Sequence, residues 1–480
     1  MKIYIGIDVG TTSLKALALT ENGKCVATAK SSYELFANGA EATQNANDWY
    51  EAAVSAIREI VEKVNDLGEI CAISVSAQGG ATVLLDESGK TITPAYSWMD
   101  NRATRESEEL KEKFGNDLIY SRYGWRMQPN SDAAKLLWMK RNIAEAYESA
   151  SAFPSTLGFI NQRLTGKCIE DPTCAAIRRL YDINEEKMSA DILEYLALDE
   201  EKLPKTLPTG ALVGNLTHEA ASALGLSESV RVYNGAHDQY CASIGSGIVE
   251  AGQLLLATGT AWVLFGVTEP PLFGKSKISP CIHPAGGYGA LSTVSGIGAA
   301  FEWLSKLTAT PIPELSAGAE ERRGKNDTLF FRPSATGTGL LIGGSVGAHI
   351  AGLTIGHDKF DLALALMEGA AFETALNIEE YKKSGMSAPS SITMAGGATA
   401  SRFWQSLIAD VTGLDVFAST QTDSPALGAA IIAAASEREE NVAIAAKRAS
   451  AESLKVSPSE YSEYYQTKFK AYKEWRKSHP

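Results

Sequence analysis

One aspartate and the Gly-Thr-Thr-Ser stretch that follows it carry clear chemistry in the first twenty residues. Asp8 ends an alternating apolar run, and Gly10, Thr11, Thr12 and Ser13 follow before a second apolar run. A glycine lets the backbone approach a ligand closely, and the amides and hydroxyls after it can donate to phosphate oxygens. A carboxylate beside them suits a phosphate-bound Mg²⁺ ion or its waters. The stretch predicts a phosphate-binding turn with Asp8 at a metal site; an ordinary β-hairpin is the alternative.

The two apolar runs predict that this turn joins two strands, and not a strand and a helix. The P-loop and the dinucleotide fingerprint both need a helix directly after their glycines, so neither fits. A P-loop is also absent elsewhere, because Glu269 stands where Gly274-Lys275-Ser276 needs its first glycine. Lys15 lies on the strand that leaves the turn, where it can reach a phosphate or be solvated.

The same design occurs again half a chain later. Residues 253–267 form an apolar run, then Thr258-Gly259-Thr260, then another apolar run. Two phosphate-type hairpins at this separation predict a duplicated domain with a nucleotide held between the copies.

A glycine pair late in the chain lies between a predicted strand and a predicted helix. Gly396 and Gly397 follow strand 391–394 and precede a helix capped near Ser401, and Gly296 opens another predicted helix. Such glycines allow the close approach of an adenine or a ribose. We therefore expect these residues to bind the nucleoside part of the same ligand.

A further aspartate follows the β-type run 230–234. Asp238 comes after Gly235, Ala236 and His237, and Gln239 leads into a helix of small residues. Open α/β sheets bind ligands at the carboxyl ends of their strands, which is where this carboxylate falls. An isolated aspartate at a helix start is usually only an N-cap. Between two phosphate hairpins, Asp238 is predicted to act as a general base.

A polar cluster lies in residues 78–102. It contains Gln78 and Gly79, and then Trp98, Asp100 and Arg102. An aromatic face can cover the C–H groups of a polyol while a carboxylate and a guanidinium bind its hydroxyls. The alternative is a helix N-terminus with Asp100 as its cap and Arg102 on the surface.

Together, Asp-x-Gly-Thr-Thr, the Gly-Thr hairpin at 259–260 and the late glycine pair resemble the actin, Hsp70 and sugar-kinase superfamily. Within it, the sequence resembles the FGGY carbohydrate kinases almost end to end, and the Trp98–Arg102 spacing is similar to the Trp-Asn-Asp-Gly-Arg element of its xylulose kinases. The resemblance implies an α/β fold of two ribonuclease-H-like (actin-like ATPase) domains with an interdomain cleft. It also implies transfer of the γ-phosphate of ATP, with Mg²⁺, to a hydroxyl of a ketose or polyol.

The resemblance assigns the candidate residues to three roles. Asp238 is the catalytic base and, with Asp8, a metal ligand. The substrate-binding residues are Gln78, Gly79, Trp98, Asp100, Arg102, Asp238 and Gln239. The ATP-binding residues are Gly10, Thr11, Thr12, Ser13, Lys15, Gly259, Thr260, Gly296, Gly396, Gly397 and Ser401.

Two segments depart from the family pattern. Xylulose kinases carry Gln-Met-His-Gly where this chain has Gln78-Gly79-Gly80, so we expect a pocket that is wider or differently polar there. The stretch 334–339 replaces the family's Gly-Glu-Arg-x-Pro segment. A ketose or a related polyol is the expected class of substrate, with xylulose as the leading candidate.

Length and composition bound the remaining possibilities. The chain has 480 residues, too many for one core, which favours domains over 1–245 for sugar and base and 246–480 for nucleotide. A net charge of −13 argues against nucleic-acid and anionic-membrane partners. The first strand begins within three residues, so we expect no signal peptide. Six scattered cysteines suit a reducing, cytoplasmic location, and a homodimer is possible.

Local patterns predict several elements around the site. We expect a strand over 24–31, a helix from Trp49 to Val64 capped by Asp48, and a buried strand over 70–76. An alanine-rich packing helix is expected over 424–435 and a surface helix without a catalytic role over 459–477. A chaperone or filament ATPase, and a degenerate kinase serving as a sugar sensor, are the competing functions.

Overall fold

The computed structural model describes residues 1–274, 278–325, 328–333, 347–420, 423–449 and 453–478. The chain divides into two compact units. The first comprises Met1–Val249, Ser279–Gly289 and Asp423–Ser450, and the second comprises Glu250–Ile278, Ala290–Thr422 and Ala451–Pro480. The units are thus not contiguous in sequence, whereas the predicted domains 1–245 and 246–480 are. The segments 275–276 and 334–339, used in the sequence analysis, lie outside the described residues.

A six-stranded sheet forms the centre of the first unit. Lys2–Val9 pairs antiparallel with Ser13–Thr20, which confirms the predicted hairpin, and parallel with Glu69–Ala77 on its other side. Glu69–Ala77 in turn pairs parallel with Arg231–His237. The hydrogen-bonded order of the strands is Leu212–Asn215, Arg231–His237, Glu69–Ala77, Lys2–Val9, Ser13–Thr20 and Cys25–Ser32. Three strands with parallel neighbours therefore end at one edge.

One face of this sheet packs on the helix Ala46–Val64. Apolar side chains alternate along Lys2–Val9, and those of this face join Trp49 and Ile57 in a buried cluster. The helix starts earlier than predicted because Asn45, and not Asp48, is its N-cap: the Asn45 side chain accepts the N–H of Asn47. The prediction of Asp48 as the cap is wrong, since Asp48 lies inside the first turn and accepts a hydrogen bond from Asn45.

The alanine-rich helix Ser424–Glu437 packs within the first unit, as its composition predicts. A Cβ added at Gly6 would lie 2.0 Å from the carbonyl oxygen of Ala426. At the crossing with helix Asp238–Gly245, a Cβ at Gly428 would lie 1.8 Å from the oxygen of Cys241. Glycine is required at both positions because backbone meets backbone there.

Much of residues 103–230 is helical, and helix Thr156–Thr165 ends at Gly166 in the left-handed conformation. The other helices of the first unit are Thr104–Phe114, Asn116–Tyr123, Asp132–Asn142, Ala144–Ser149, Pro172–Ile177, Ala190–Leu196, His218–Leu224 and Val442–Ala449, with the 3-10 turn Glu200–Lys202. Its remaining strands are Phe36–Asn38, Glu41–Gln44, Ala95–Tyr96, Ile169–Glu170, Tyr181–Asp182, Lys187–Met188, Lys205–Thr206 and Ser279–Ile282.

The second unit repeats the pattern of a hairpin beside parallel strands. Leu254–Thr258 pairs antiparallel with Trp262–Thr268 and parallel with Ser391–Gly396, so the second predicted hairpin is confirmed. Within this unit, the sheet's strands follow the order Tyr288–Ser295, Trp262–Thr268, Leu254–Thr258, Ser391–Gly396, Asp415–Ser419 and Ser453–Val456. The helices are Ile297–Thr308, Ile312–Glu321, Lys359–Lys383, Arg402–Thr412 and Ser462–Lys477, with the 3-10 turn Gly397–Ala400 and the short strands Phe330–Arg332 and His349–Ala351.

The last helix of the second unit is more than a surface element. Helix Ser462–Lys477 buries Tyr465, Phe469 and Tyr472 in the unit's core. Lys468 Nζ lies 2.6 Å from Glu368 Oε2, and both side chains are almost fully buried. The prediction of a surface helix is therefore wrong for this face. Among the described residues, no helix combines the length and the apolar composition needed to cross a membrane.

Candidate active site

The two predicted acidic residues lie at the same edge of the first sheet. Asp8 pairs in register with Ser76, and Ser76 pairs with Ala236, two residues before Asp238. The Ser76 hydroxyl donates to Asp8 Oδ1 at 2.7 Å. The carboxyl ends of parallel strands thus bring together Asp8 and Asp238, which are far apart in sequence.

Asp238 is not a helix cap. It is the first residue of helix Asp238–Gly245, whose N-cap is His237: His237 Nδ1 accepts the N–H of Gln239 at 3.3 Å. The Asp238 side chain keeps 28% of its surface exposed, and its Oδ1 lies 3.2 Å from His237 Nδ1. The capping explanation for this aspartate is removed, and its carboxylate is accessible for chemistry.

Burial and mutual repulsion set the electrostatics of this pair. Burial, and after it the negative charge of Asp238, raise the pKa of Asp8 to about 7, while Ser76 and Lys15 act in the opposite direction. A carboxylate whose ionisation is disfavoured by burial and by a second carboxylate fits a site for a divalent cation. Mg²⁺ is commonly held by one or two carboxylates together with water and substrate phosphates. Among the described residues no group of three or more acidic, histidine or cysteine side chains forms a metal cluster.

The first phosphate-type turn is held from behind by long-range hydrogen bonds. The Gly10 N–H donates to the Ser13 carbonyl at 3.1 Å, and the Tyr33 hydroxyl donates to the Gly10 carbonyl at 2.6 Å. Gln44 Nε2 donates to the Thr11 carbonyl at 2.7 Å. Thr12, at the tip, is exposed. The turn is therefore fixed while its tip remains open to a ligand.

Lys15 is engaged in an ion pair that the sequence did not suggest. Its Nζ lies 2.7 Å from Asp423 Oδ1, next to the start of helix Ser424–Glu437. Lys15 stands opposite Asp8 in the hairpin register, which puts their side chains on one face of the sheet. Lys15 is thus not simply solvated, and its contact with a phosphate stays a prediction.

Trp98 joins the polar cluster to the first turn. Its Nε1–H donates to Thr11 Oγ1 at 3.0 Å, and 38% of the side chain is exposed. The carbonyl oxygen of Trp98 accepts from Asn130 Nδ2 at 2.9 Å. The indole ring thus has a fixed edge and an accessible surface, as a sugar-stacking residue requires.

Asp100 and Arg102 form an ion pair with each other. Asp100 is fully buried, and its Oδ2 accepts from Arg102 Nη2 at 2.7 Å and from the Ala42 N–H at 2.8 Å. The Arg102 guanidinium lies 4.8 Å from the centre of the Tyr96 ring and 5.0 Å from that of Trp138. Both parts of the alternative are wrong: helix Thr104–Phe114 has no side-chain cap, and Arg102 is mostly buried. The contact of Asp100 and Arg102 with a substrate remains a prediction.

Three buried amide oxygens around the cluster have no hydrogen-bond partner among the described residues. They belong to Gln78, Gln239 and Asn130. Gln78 Nε2 donates to Gln44 Oε1 at 3.0 Å, which links it to the first turn. Unpaired buried acceptors are costly, so such oxygens suit a ligand rich in hydroxyl donors. Sequence reasoning missed Asn130 and Gln44; the only signal for Asn130 was its departure from the FGGY signature.

Gly79 has its side-chain space filled by a neighbour. A Cβ at Gly79 would lie 2.4 Å from His237 Cδ2 and 2.8 Å from His237 Nε2. The sequence left open a wider or a differently polar pocket at this point. On the side of Gly79 that faces His237, an imidazole takes the space.

Lys135 was also missed, although it lies within the predicted signature helix. Its Nζ donates to the carbonyls of Gly80 at 2.6 Å, Tyr96 at 3.2 Å and Ser97 at 3.1 Å, and pairs with Asp132 at 2.9 Å. Lys135 and Asp132 are fully buried. This ammonium therefore connects the Gln78–Gly80 turn to the segment that leads into Trp98.

The second unit gathers its own predicted nucleotide-binding residues. Gly259 and Thr260 are exposed at the hairpin tip, and a Cβ at Gly298 would lie 2.5 Å from the Gly259 carbonyl oxygen. Gly396 has a φ of +100°, and a Cβ there would lie 2.8 Å from the Thr258 oxygen. These close approaches place the hairpin, the start of helix Ile297–Thr308 and the glycine pair side by side.

The remaining candidates of this unit have structural roles as well. Gly296 is the N-cap of helix Ile297–Thr308, and Gly397 begins the 3-10 turn. Thr258 Oγ1 donates to the Ala395 carbonyl at 2.8 Å and accepts from the Ala398 N–H, a link that the sequence analysis missed. Ser401 caps the helix Arg402–Thr412, as predicted.

Comparison with known proteins decides the family. The N-terminal domain model of the FGGY family of carbohydrate kinases matches residues 3–245, and the C-terminal domain model matches residues 254–437. The chain belongs to the FGGY family of carbohydrate kinases. It is 27% identical over 441 residues to the xylulose kinase of Bacillus subtilis (strain 168), covering 90% of this chain and 88% of that protein. It is also 27% identical over 445 residues to the xylulose kinase of Escherichia coli (strain K12), covering 90% and 89%.

A solved structure agrees with the fold of this FGGY kinase. The ligand-bound xylulose kinase from Lactobacillus acidophilus superimposes with a TM-score of 0.89 at 24% identity, covering 100% of this chain and 98% of that one. The predicted α/β architecture with two actin-like domains is confirmed. The family establishes an ATP-dependent carbohydrate kinase, a phosphotransferase with an alcohol acceptor. The chaperone or filament ATPase and the sugar sensor are not favoured.

Proposed function

We propose that this kinase phosphorylates a ketose or a related polyol, with xylulose as the first candidate, and that Asp238 is its general base. The acceptor hydroxyl oxygen attacks the γ-phosphorus of ATP, the bond from that phosphorus to the β,γ-bridging oxygen breaks, and ADP leaves. The proton of the hydroxyl passes to the Asp238 carboxylate. Catalysis of this kind depends mainly on positioning and charge neutralisation.

The observation that carries the proposal is the electrostatic coupling of Asp8 and Asp238. Burial and the charge of Asp238 raise the pKa of Asp8 to about 7. A divalent cation bound there would offset this unfavourable electrostatic environment of the Asp8 carboxylate. Asp8, fixed by Ser76, would hold Mg²⁺ or its waters, and Asp238 would take the acceptor side. Mg²⁺ would neutralise phosphate charge.

The division of labour follows the positions of the candidate residues. We propose that the first unit supplies the sugar site, the base and the turn Gly10–Ser13 for phosphates. The second unit would supply Gly259 and Thr260 for phosphates and the surface around Gly296, Gly396 and Gly397 for adenosine. Support comes from the clustering of these residues within each unit.

The substrate class rests on the polar cluster. The free amide oxygens of Gln78, Asn130 and Gln239 are acceptors, and the half-exposed Trp98 offers a flat apolar face. A polyhydroxylated chain matches both features, since it presents hydroxyl donors and C–H groups. The names of the related proteins in Bacillus subtilis and Escherichia coli support xylulose as the first candidate.

The test is sugar-dependent release of ADP from Mg-ATP by the wild type. Ketoses, alditols, aldoses and sugar acids would be compared with a reaction that lacks sugar, and the phosphorylated product identified by mass. We expect turnover with one or a few ketoses at least a hundredfold above the sugar-free rate. Equal ADP release with and without every sugar would refute the proposal and favour an ATPase.

Location and assembly complete the proposal. All six cysteines are free thiols, which supports a reducing compartment such as the cytoplasm. A homodimer remains a prediction that light scattering at several protein concentrations would decide.

A further inference from the structure

We propose that His237 determines substrate specificity. Its imidazole occupies the space beside Gly79, and its Nε2 forms a hydrogen bond with a sugar hydroxyl near the hydroxyl that is phosphorylated. The inference rests on the proposed kinase reaction and names a residue that the candidate set above does not contain.

The fit between Gly79 and His237 is steric. A Cβ at position 79 would approach His237 Cδ2 to 2.4 Å and Nε2 to 2.8 Å, distances at which one group must move. Ile177 Cδ1, at 2.9 Å from the same point, closes another direction. Any larger side chain at 79 and this position of the imidazole therefore exclude each other. The glycine and the histidine function as a pair.

The position of the imidazole is fixed by its surroundings. The backbone N–H of His237 donates to Thr173 Oγ1 at 2.9 Å, and Nδ1 accepts the N–H of Gln239. The imidazole ring packs edge-on against the Tyr240 ring, with 6.1 Å between the ring centroids. Only 6% of His237 is exposed. The side chain therefore has little freedom to turn away from Gly79.

Nε2 is the atom that these contacts leave available. Nδ1 is used by the helix start and lies 3.2 Å from Asp238 Oδ1, whereas Nε2 has no hydrogen-bond partner among the described residues. His237 pairs in register with Ala77, so Nε2 lies beside the turn that begins at Gln78. Because Nδ1 accepts the Gln239 N–H, the proton of the neutral ring is on Nε2, and a sugar hydroxyl oxygen can accept it.

The consequence concerns the identity of the substrate. Because His237 directly precedes Asp238, the hydroxyl that contacts Nε2 belongs to the same end of the sugar as the hydroxyl that loses its proton. We expect the enzyme to discriminate against analogues that lack or invert this second hydroxyl. A buried polar group left unpaired gives strong discrimination against such analogues.

The decisive variant is His237→Asn. Asparagine is a good N-cap, so it can still accept the Gln239 N–H, but it does not reach the position of Nε2. For the wild type, kcat/KM for the best sugar and for its deoxy or epimeric analogues would be compared. For the wild type, we expect kcat/KM with one analogue to be about tenfold or more below that with the best sugar, the range of one hydrogen bond. For His237→Asn, we expect little difference in kcat/KM between the two sugars. The melting temperature and KM for ATP should stay close to the wild type.

A second comparison tests the steric pairing. Gly79→Ala, His237→Ala and the double variant would be made, with unfolding free energy and kcat/KM measured for each. We expect Gly79→Ala to be harmful alone and markedly less harmful when residue 237 is already alanine, since only the terminal methyl group of Ile177 must then shift. Gly347→Ala, where a Cβ meets nothing within 4 Å, is the control.

The outcomes separate the inference from the proposed function. If the wild type phosphorylates a sugar but His237→Asn ranks the analogues as the wild type does, the inference is wrong and the kinase assignment stands. Strictly additive effects of Gly79→Ala and His237→Ala on the unfolding free energy would also contradict the inference. If the wild type neither phosphorylates nor binds any sugar of the panel, the proposed function fails, and the inference fails with it.

Discussion

Burial and the negative charge of the Asp238 carboxylate together raise the pKa of Asp8 to about 7. The two aspartates come from strands that are not neighbours in sequence, and a third strand between them contributes Ser76 as a donor to Asp8. The free protein thus carries an unfavourable charge arrangement at its proposed metal site. Such a site should trade stability for function.

Asp8→Asn should stabilise the free protein at pH 8 and not at pH 4. The folded-state pKa of Asp8 is raised, so between its unfolded value of about 3.9 and about 7 the folded chain holds a proton that the unfolded chain releases. Stability contributed by this group falls as pH rises through that window, by up to about 1.4 kcal/mol per pH unit. Asparagine does not ionise and avoids the loss.

The measurement is the free energy of unfolding in urea at pH 4, 6 and 8 without Mg²⁺ or nucleotide. Asp117→Asn is the matched control, because Asp117 is 94% exposed. If the difference in unfolding free energy between Asp8→Asn and the wild type does not change with pH, the raised pKa of Asp8 is contradicted.

Gly428→Ala should destabilise the first unit although alanine is the better helix former. A Cβ at this position would lie 1.8 Å from the Cys241 carbonyl oxygen, so helices Ser424–Glu437 and Asp238–Gly245 must separate. We expect a loss of about 1–3 kcal/mol, as for overpacked cores, where helix propensity alone predicts a gain of about 1 kcal/mol. Chemical denaturation measures it, and a gain in stability would disprove the close crossing.

His283→Gln should weaken the acid sensitivity of the protein. Burial lowers the pKa of His283 to about 3, its Nδ1 accepts the Ala285 N–H, and its Nε2 lies 3.0 Å from Ser243 Oγ. Between about pH 6.5 and 3 the unfolded chain binds a proton that the folded chain excludes, so stability falls as pH falls. The contribution is absent above about pH 6.5.

Glutamine keeps a donor for Ser243 but does not titrate. The difference in unfolding free energy between wild type and variant should therefore change by up to about 1.4 kcal/mol per unit as pH is lowered from 6.5. Parallel stability curves for the two proteins over pH 4–7 would show that His283 is not held neutral.

Lys135→Met should be strongly destabilising, by about 3–5 kcal/mol, because it leaves Asp132 as a buried charge with one partner fewer. It also leaves the Gly80, Tyr96 and Ser97 carbonyls without their donor. Lys140→Met is the control: Lys140 is half-buried on the same helix and donates to one carbonyl, at 2.9 Å. Equal effects of the two substitutions would mean that the ammonium of Lys135 has no special part in holding the turn.

The sequence predicts those features whose signals are local. Both hairpins, the strand before Asp238 and the capped helix after Ser401 are encoded in runs of a few residues, and all are present. The short-range pattern Trp98–Arg102 was visible too. The spacing could not show that Asp100 and Arg102 hydrogen-bond to each other, because each side chain can bind a sugar hydroxyl as well as a group of opposite charge.

Long-range partners escaped prediction for a physical reason. The ion pair of Lys15 with Asp423 and the contact of Gly79 with His237 join distant segments, and nothing in either segment alone specifies the other. Likewise, nothing in the sequence around Lys135 indicates that the carbonyls of Gly80 and Ser97 accept hydrogen bonds from its ammonium group. The positions of single amide groups, such as Gln44 and Asn130, depend on the packed fold and not on periodicity.

The most direct test of the account is the turnover of Asp238→Asn with the best sugar. Asparagine keeps the size of the side chain but is no longer a base, so binding of ATP and sugar, measured by calorimetry, should change by less than about tenfold. We expect kcat to fall by about 10²–10⁴, the usual contribution of a general base. Asp117→Asn should retain full activity. A kcat for Asp238→Asn within a few-fold of the wild type, with both ligands bound normally, would contradict the assignment of Asp238 as the base.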